Sequence, residues 1–155
     1  MKSIYIVLTF LFFVTYSQAQ ENEVLAIKQT INNLFEGMRK SDTAMLRSAF
    51  ANNAIMQSVN KNHEGKVTIQ SEPLDSFIYF IAKPHSLIYD ERITFDLIKV
   101  DQELAIAWTP YKFYLGDKFS HCGVDSYQLV KINGIWKIQY LIDTRRKDCG
   151  NTKKD

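Results

Sequence analysis

The sequence is poor in the residue types that build metal sites and phosphate-binding loops. Its 155 residues include two cysteines, three histidines, six glycines and three prolines. It has no glycine-rich phosphate loop and no G-x-S-x-G, H-E-x-x-H or C-x-x-C motif, so the usual signatures of those sites are missing. Two cysteines without clustered histidines also argue against a structural zinc site. We therefore expect no metal and no cofactor.

The charge of the chain is close to neutral. Nineteen Lys and Arg residues stand against 17 Asp and Glu residues, which gives a formal net charge of +2. Proteins that bind nucleic acid draw on a clear excess of basic residues, so we expect no nucleic acid among the partners. The basic residues within 145–154 are explained by a solvated end of the chain.

Residues 1–19 have the pattern of a secretory signal peptide. Lys2 supplies a positive start, residues 4–14 form a short apolar run, and residues 17–19 form a small-x-small cleavage site. A transmembrane anchor is the alternative, but the apolar run is shorter than the roughly 20 residues that span a bilayer. We predict an exported protein, periplasmic or secreted, with a mature chain from Gln20 and no membrane contact after cleavage.

The remaining chain is predicted to form a single domain. No internal repeat, low-complexity segment or linker interrupts it. Its length of roughly 135 residues is usual for one domain and is enough to bury a core. We place this domain at residues 20–148 and a C-terminal tail at residues 149–155.

Apolar periodicity predicts helices first and strands afterwards. A stripe at three- and four-residue steps predicts a helix over residues 22–40, and two shorter helical patterns follow it. Residues 54–70 are predicted to form a short hairpin, and four alternating strands are predicted from residue 89 to residue 146. This order indicates an α+β fold in which helices cover one face of a bent antiparallel sheet.

Three tight turns determine the predicted register of the long strands. The turns lie at residues 101–102, 116–117 and 133–134. If each is a two-residue hairpin loop, Phe95 lies beside Trp108, Trp108 beside Asp125, and Asp125 beside Ile142. A bulge within residues 109–118 would shift this count by one residue. The predicted inner face consists of Ile93, Phe95, Leu97, Leu104, Ile106, Trp108, Asp125, Tyr127, Leu129, Ile138, Tyr140 and Ile142.

The two cysteines, Cys122 and Cys149, are predicted to form a disulfide. Export makes a disulfide permissible. In the counted register Cys122 faces Arg145, so a tail that folds back could bring the two Cα atoms within the required distance of about 7 Å. The alternative is one buried thiol and one loose thiol.

Three structural motifs resemble the nuclear transport factor 2-like (NTF2-like) superfamily. They are the long N-terminal helix, an F-A-x-x-A step at residues 50–54 and a closing G-x-W-x-I strand at residues 134–138. The chain is similar to the small exported bacterial members of the SnoaL-like and "putative lumazine-binding" type. The resemblance implies a cystatin-like cone, in which a strongly bent sheet wraps around the long helix and often leaves a pocket at its open end. These motifs are structural, so they imply the fold more strongly than the function.

Asp125 is the central residue of the candidate site, because it is the one carboxylate on the predicted inner face. Burial raises the pKa of a carboxyl group, which suits a general acid or base near neutral pH. Enzymes of the superfamily commonly use an acidic residue in this way. Tyr127 or Tyr140 would then donate a hydrogen bond to a developing oxyanion. Alternatively, Asp125 pairs with a cation or with the Trp108 indole and only stabilises the core.

A second candidate feature is a group of cations at the mouth of the predicted pocket. The counted register places Lys112 and Arg146 on either side of His121. This group would suit an anionic ligand, and its two cations would keep His121 neutral. An exposed strand end whose charges share one face by chance is the alternative. The predicted pocket consists of Trp108, Lys112, His121, Asp125, Tyr127, Tyr140 and Arg146.

Three functions from different classes are compatible with these features. The favoured one is an exported small-molecule-binding domain without turnover, whose ligand is partly apolar and anionic. The alternatives are a cofactor-independent isomerase or dehydratase that uses Asp125 as base, and a non-catalytic interaction domain with a filled core. We also expect a homodimer through the outer sheet face. The apolar residues predicted on that face are Ile98, Ala105, Ala107, Val124 and Leu141.

Overall fold

The computed structural model describes the backbone of residues 2–62 and 64–150, with side chains from residue 20 onward. The side chains of the predicted signal peptide and residues 151–155 of the predicted tail lie outside the described residues. Within the part that was searched, no helix combines the length and the apolar character needed to cross a membrane.

The described residues form three helices and seven strands. The helices are α1 (Lys2–Lys40), α2 (Thr43–Ser48) and α3 (Leu74–Ala82). The strands are β1 (Phe50–Lys61), β2 (Val67–Glu72), β3 (Tyr89–Ile93), β4 (Leu97–Asp101), β5 (Leu104–Leu115), β6 (Lys118–Ile132) and β7 (Ile135–Arg146). The first of the four predicted long strands is thus divided into β3 and β4, which both pair with β5.

Helix α1 supplies the centre of the core. The stripe predicted from the three- and four-residue spacing is buried, with Ile27 and Ile31 fully enclosed and Leu34 nearly so. Gly37 allows α2 to approach closely, because a Cβ atom there would lie 2.8 Å from the backbone nitrogen of Leu46. Asp42 begins α2 by accepting a hydrogen bond from the Met45 backbone N–H at 2.9 Å.

The strands form one strongly bent, open sheet in the order β2-β1-β7-β6-β5-β3. The predicted α+β cone is confirmed, but the sheet is mixed rather than wholly antiparallel, because β1 pairs with β7 in parallel. The chain crosses from one edge of the sheet to the other between β2 and β3, through α3, and the antiparallel strands that follow bring β7 back beside β1. The helices cover the concave face of the sheet, which we call the inner face.

A bulge between β5 and β6 changes the predicted register. Leu115 pairs with Lys118 as the two-residue loop requires, but Phe113 pairs with His121, which leaves one extra residue on β6. Asp125 therefore lies opposite Thr109, and the predicted pairing of Asp125 with Trp108 is wrong. The shift begins inside the segment where a bulge was anticipated, since bulges bend strongly curved sheets.

A second bulge, between β6 and β7, was not anticipated. Leu129 still pairs with Ile138, but Gln128 pairs with Tyr140, so β7 carries the extra residue. As a result Asp125 lies opposite Asp143 rather than the predicted Ile142. Each bulge moves the following side chains of one strand to the other face, because strand side chains alternate with a period of two.

The two bulges exchange several residues between the faces. Trp108 and Ile106 lie on the outer face and are 46% and 40% exposed. Four residues that were predicted on the outer face belong to the inner side instead. Ala105, Ala107 and Leu141 are buried there, and Ile98 is packed against the same core. The predicted outer face was therefore wrong in most of its apolar members.

The disulfide prediction is confirmed, since Cys122 is bonded to Cys149 across a sequence separation of 27 residues. The Cα atoms of the two cysteines are 6.0 Å apart. Cys122 pairs with Arg146 rather than with Arg145, so the chain beyond β7 has three residues in which to turn back. The bond attaches the end of the domain to the middle of the sheet.

Candidate functional site

A cavity of about 870 Å³ lies between α1, α3 and the inner face of the sheet. Apolar side chains from both helices and from strands β1 and β7 form most of its wall. They include Leu34, Met38, Met56, Phe77, Ile81 and Leu141. The helices bring these residues because each turns one apolar stripe toward the sheet.

A row of aromatic rings lines another side of the cavity. Phe80 stacks on Tyr89 with ring centres 5.6 Å apart, and Tyr89 faces Phe113 at 6.3 Å. Phe113 in turn contacts His121 at 5.0 Å. We call these four residues the aromatic row. It extends from the half-exposed Phe80 on α3 to His121 on β6 and so connects the mouth of the cavity with its inner end.

The inner end of the cavity is formed by two cross-strand rows of polar residues. In the first row, Thr109, Asp125 and Asp143 lie side by side on β5, β6 and β7. Asp125 is only 3% exposed and accepts hydrogen bonds from the Thr109 hydroxyl and the Tyr127 hydroxyl, both at 3.1 Å. These neutral donors hold the carboxyl group in place and supply no positive charge.

The second row contains Tyr111, Gly123 and Arg145. Its centre must be glycine, because a Cβ atom on Gly123 would lie 1.7 Å from the Thr144 carbonyl oxygen and 2.7 Å from the Tyr111 ring. The Tyr111 hydroxyl, which donates a single proton, lies 3.2 Å from Asp143 Oδ2 and 3.0 Å from the Thr144 carbonyl oxygen. Arg145 Nε donates to Asp143 Oδ2 at 2.8 Å.

Glu91 adds a third carboxyl group from β3. It pairs with Phe113 in the sheet, lines the same cavity as Asp125 and lies close enough to Asp125 for each carboxyl group to affect the pKa of the other. It also borders a second cavity, of about 510 Å³, between α1 and β3, beside Asn33 and Arg39. Glu91 therefore stands between the inner end of the main cavity and the protein surface.

The pKa values of both carboxyl groups of this pair are raised. Burial, followed by the negative charge of Asp143, raises the pKa of Asp125 to about 7. Burial, followed by the charges of Asp125 and Asp143, raises the pKa of Glu91 well above its usual range. A buried carboxylate without a cation is unstable, so the pair retains a shared proton at neutral pH. We call Glu91 and Asp125 the carboxyl pair.

The neighbouring titratable groups keep their neutral forms. Burial, with the nearby charge of Asp125, raises the pKa of Tyr127 far above 10, so its hydroxyl remains a donor. Burial also raises the pKa of Tyr111. Burial and the positive charge of Arg145 lower the pKa of His121. The predicted neutral state of this histidine is supported, but the responsible cation is Arg145.

The structure brings together only part of the predicted pocket. Asp125 and His121 line the cavity, and Tyr127 lies directly behind Asp125. Tyr140 lies on the outer side, where its hydroxyl donates to Gln57 Oε1 at 2.7 Å.

The remaining predicted residues lie on the outer side as well. Lys112 and Arg146 both pair with Cys122, so they face away from His121, and Trp108 is half-exposed on the outer face. The predicted cation group around His121 therefore does not form. The register count had placed these residues one position away from their true pairing.

Five residues of the site were missed, namely Glu91, Thr109, Tyr111, Asp143 and Arg145. A count with one extra residue in β7 would have placed Asp143 opposite Asp125, but the sequence around Gln139 carries no glycine or proline to indicate a bulge. Glu91 lies two residues before Ile93, so strand alternation places both on the inner face, but the predicted inner face began at Ile93 and left Glu91 out. Within the described residues, no group of three or more His, Cys, Asp and Glu side chains has the geometry to hold a metal ion.

Comparisons with known proteins agree with this architecture. A family described as "Putative lumazine-binding" matches residues 22–140. No curated protein matches the chain.

Several solved structures are similar to the chain in fold. An NTF2-like protein of unknown function from Shewanella baltica is 18% identical with a TM-score of 0.64, over 82% of this chain and 96% of that one. A protein of unknown function from Mycobacterium tuberculosis is 15% identical with a TM-score of 0.69, over 86% of this chain and 77% of that one.

A third structure is described as a putative dehydratase of the NTF2-like family from Streptomyces avermitilis. It is 13% identical with a TM-score of 0.61, over 83% of this chain and 99% of that one. Similarity at this level of identity establishes the fold alone. The family match over residues 22–140 shows that the chain belongs to the putative lumazine-binding family, and the solved structures show that it has the same fold as NTF2-like proteins.

Proposed function

We propose that the cavity binds a small molecule with a mostly apolar body and one hydrogen-bonding end. The observation that carries this proposal is the division of the cavity, of about 870 Å³, into apolar and aromatic walls and a polar inner end. Sites for small molecules are commonly apolar clefts with a few converging polar groups. The description of the family also favours a small-molecule ligand.

An anionic ligand loses the support expected from Lys112 and Arg146, which do not reach the cavity, and the cation that does line it, Arg145, is already paired with Asp143 at 2.8 Å. Its inner end instead carries Glu91, Asp125 and Asp143. A ligand carboxylate would meet these groups at short range, and like charges in a partly buried site repel strongly. The ligand's polar end is therefore neutral or positive.

Native mass spectrometry of the protein purified from its own host tests the binding function. We expect a co-purifying small molecule on the wild-type chain and none on the Met56→Trp variant, because Met56 lines the cavity. The matched control is Ile55→Trp, one residue earlier on β1, where the side chain is 51% exposed. Equal occupancy in the two variants, or an empty wild-type chain that also binds no member of a ligand library, would contradict the proposal.

A second candidate function is proton transfer by the carboxyl pair in a cofactor-independent isomerase or lyase. It is favoured by the pKa of Asp125, about 7, which is suited to accepting and returning a proton at neutral pH. In such a reaction Asp125 takes a proton from the carbon next to a carbonyl group, and the protonated Asp125 returns it to another carbon of the resulting enolate. Tyr127 would hold the base in position, and Tyr111 is the tyrosine that lines the polar inner end of the cavity.

Exchange of carbon-bound hydrogen in deuterated water tests this second function. A panel of small cyclic ketones is incubated with the protein and followed by proton NMR. Catalysed loss of the signal next to the carbonyl, abolished in Asp125→Asn but kept in Asp101→Asn, would support catalysis. Exchange that persists in Asp125→Asn would exclude Asp125 as the base.

Export and dimer formation remain proposals as well. The disulfide supports an oxidising location, and the domain would then begin at Gln20 and end near residue 148. The exposed outer-face group Leu97, Leu104, Ile106 and Trp108 supports a homodimer, since adjacent apolar side chains of this size commonly mark interfaces. N-terminal sequencing of the protein from the periplasm or medium tests export and signal cleavage. A chain that still begins at Met1 would contradict them.

A further inference from the structure

The charges at the inner end of the cavity do not balance. Glu91, Asp125 and Asp143 meet there, and one cation, Arg145, contacts Asp143 at 2.8 Å. His121 is the other basic group that lines this end, and burial lowers its pKa. The carboxyl pair therefore has no cationic partner among the residues that the structure describes.

The other cations near β3 are already engaged elsewhere. Arg39 Nε binds Asp90 at 3.0 Å and Arg92 Nε binds the same carboxylate at 2.7 Å. Asp90 precedes Glu91 and points to the opposite side of the strand, because neighbouring strand residues alternate. These two arginines thus neutralise Asp90 and leave the carboxyl pair unmatched.

The aromatic row offers a second feature that attracts positive charge. Tyr89 and Phe113 lie at an interplanar angle of 22°, and both rings border the cavity. The faces of aromatic rings carry partial negative charge and attract cations within about 6 Å. The same rings supply apolar surface for a hydrophobic body. Carboxyl groups and ring faces together form a site suited to an organic cation.

An inorganic cation does not fit this site. Among the described residues, no three acidic or histidine side chains converge closely enough to coordinate a metal. A cavity of about 870 Å³ is also far larger than an ion and its ligands require. The missing positive charge is therefore expected on a molecule that also fills apolar space.

We propose that the ligand is a primary or secondary amine, protonated when bound, with an apolar body. Its ammonium group donates to the carboxyl pair and replaces the proton that Glu91 and Asp125 share in the empty site. Its body lies against the aromatic row. This inference rests on the proposed binding function and adds the chemical class of the ligand.

Three probes with the same apolar body test the class of ligand. Phenethylamine, 2-phenylethanol and phenylacetate are titrated into the mature chain by isothermal calorimetry or NMR. We expect the amine to bind at least about tenfold more tightly than the alcohol, and the carboxylate to bind most weakly, because a desolvated opposite charge adds affinity that a neutral group lacks.

The pH dependence gives an independent reading of the same idea. Amine binding must displace a proton, so its affinity is expected to fall by up to about tenfold for each pH unit below 7. The affinity of the alcohol, which displaces no proton, is expected to change little. An amine affinity that is flat between pH 5 and pH 8 would overturn the inference.

Variants of the carboxyl groups complete the test. Glu91→Gln is expected to reduce the preference for amine over alcohol to about twofold or less, and Asp125→Asn serves as a second variant at the same site. The matched control is Asp101→Asn, which changes an exposed carboxylate at the end of β4 and is expected to leave the preference unchanged. Circular dichroism establishes that each variant is folded.

The results of these experiments test the proposed ligand class and the proposed binding function separately. Equal or tighter binding of the alcohol or the carboxylate would overturn the amine and leave the cavity as a binding site. Failure of all three probes to bind at millimolar concentration would overturn the amine, and the co-purification experiment with Met56→Trp then decides the binding function separately.

Discussion

Near the cavity, the buried face of strand β5 carries polar side chains and its exposed face carries apolar ones, the reverse of the usual arrangement. Thr109 lies on the inner face, is fully buried and donates to Asp125, whereas its neighbour Trp108 lies on the outer face and is 46% exposed. The buried side near the cavity carries polar residues, and the solvent side carries an apolar group. Buried polar side chains and exposed apolar side chains usually serve binding or chemistry rather than stability.

The difference indicates separate tasks for the two faces. Inner polar residues incur a desolvation cost that only hydrogen bonds or a ligand offset, and in this chain Asp125 receives two neutral donors and no cation. Outer apolar residues cost little in a monomer but favour association. The inner face is thus the candidate binding site, and the outer face is the candidate contact between copies of the chain.

Replacement of Gly123 by alanine is expected to have the largest effect. The new Cβ atom would collide with the Thr144 carbonyl oxygen and the Tyr111 ring, so strands β6 and β7 must separate beside the carboxyl pair. We expect a loss of about 3 kcal/mol or more in the free energy of unfolding, measured by urea denaturation. The control is Gln128→Ala, at an exposed position of the same strand. An equal loss of stability in both variants would show that close packing around Gly123 does not require glycine there.

Reduction of the disulfide is expected to have the next largest effect. Cys122 and Cys149 close a loop with a sequence separation of 27 residues, for which chain entropy predicts about 3 kcal/mol of stabilisation. Urea denaturation of the protein with and without a reductant measures the difference. The bond attaches the tail on the side of the sheet away from the cavity. Binding of the amine probe should therefore persist in the reduced protein at pH 7 without urea. Loss of binding on reduction would contradict the separation of the two faces.

Asp125→Asn is expected to change the pH dependence of stability. The pKa of Asp125 rises from 3.8 to about 7 on folding, so the folded chain keeps a proton that the unfolded chain releases above about pH 4. Stability of the wild-type protein therefore falls as pH rises from about 4 to about 7, and the raised pKa of Glu91 acts in the same direction.

The asparagine variant removes this titration. It is expected to be about 1–2 kcal/mol more stable than the wild type at pH 8, where the wild type must ionise a buried group, and to show a flatter profile. Thermal unfolding between pH 4 and pH 8 measures both. A variant that is less stable than the wild type at pH 8 would indicate that Asp125 has a compensating partner.

Trp108→Glu is expected to have the smallest effect on the fold. An exposed outer position should change the stability of the monomer by no more than about 0.5 kcal/mol. The charge should nevertheless prevent association, so sedimentation at micromolar concentration is expected to show a dimer for the wild type and a monomer for the variant. A monomeric wild-type protein would contradict the proposal that the outer face forms the contact between copies of the chain.

Some parts of the candidate site were accessible to sequence reasoning and others were not. Asp125 was recognised because a carboxylate stands out within an alternating apolar strand, and that argument needs only local periodicity. Its partners Thr109 and Asp143 were missed because each depends on a bulge. A one-residue error exchanges the two faces of a strand, which is why Trp108, Lys112 and Arg146 were placed on the wrong side.

The amino-acid sequence by itself determined the order of helices and strands, the buried stripe of α1, the α+β class and the inward position of Asp125. These features follow from local patterns of apolar residues, whose burial is favourable in any register that keeps the pattern. The tertiary structure alone decided the parallel pairing of β1 with β7, the two bulges and the meeting of Glu91 with Asp125. Those features depend on how distant segments fit around a curved sheet, and no local preference in the chain encodes that fit.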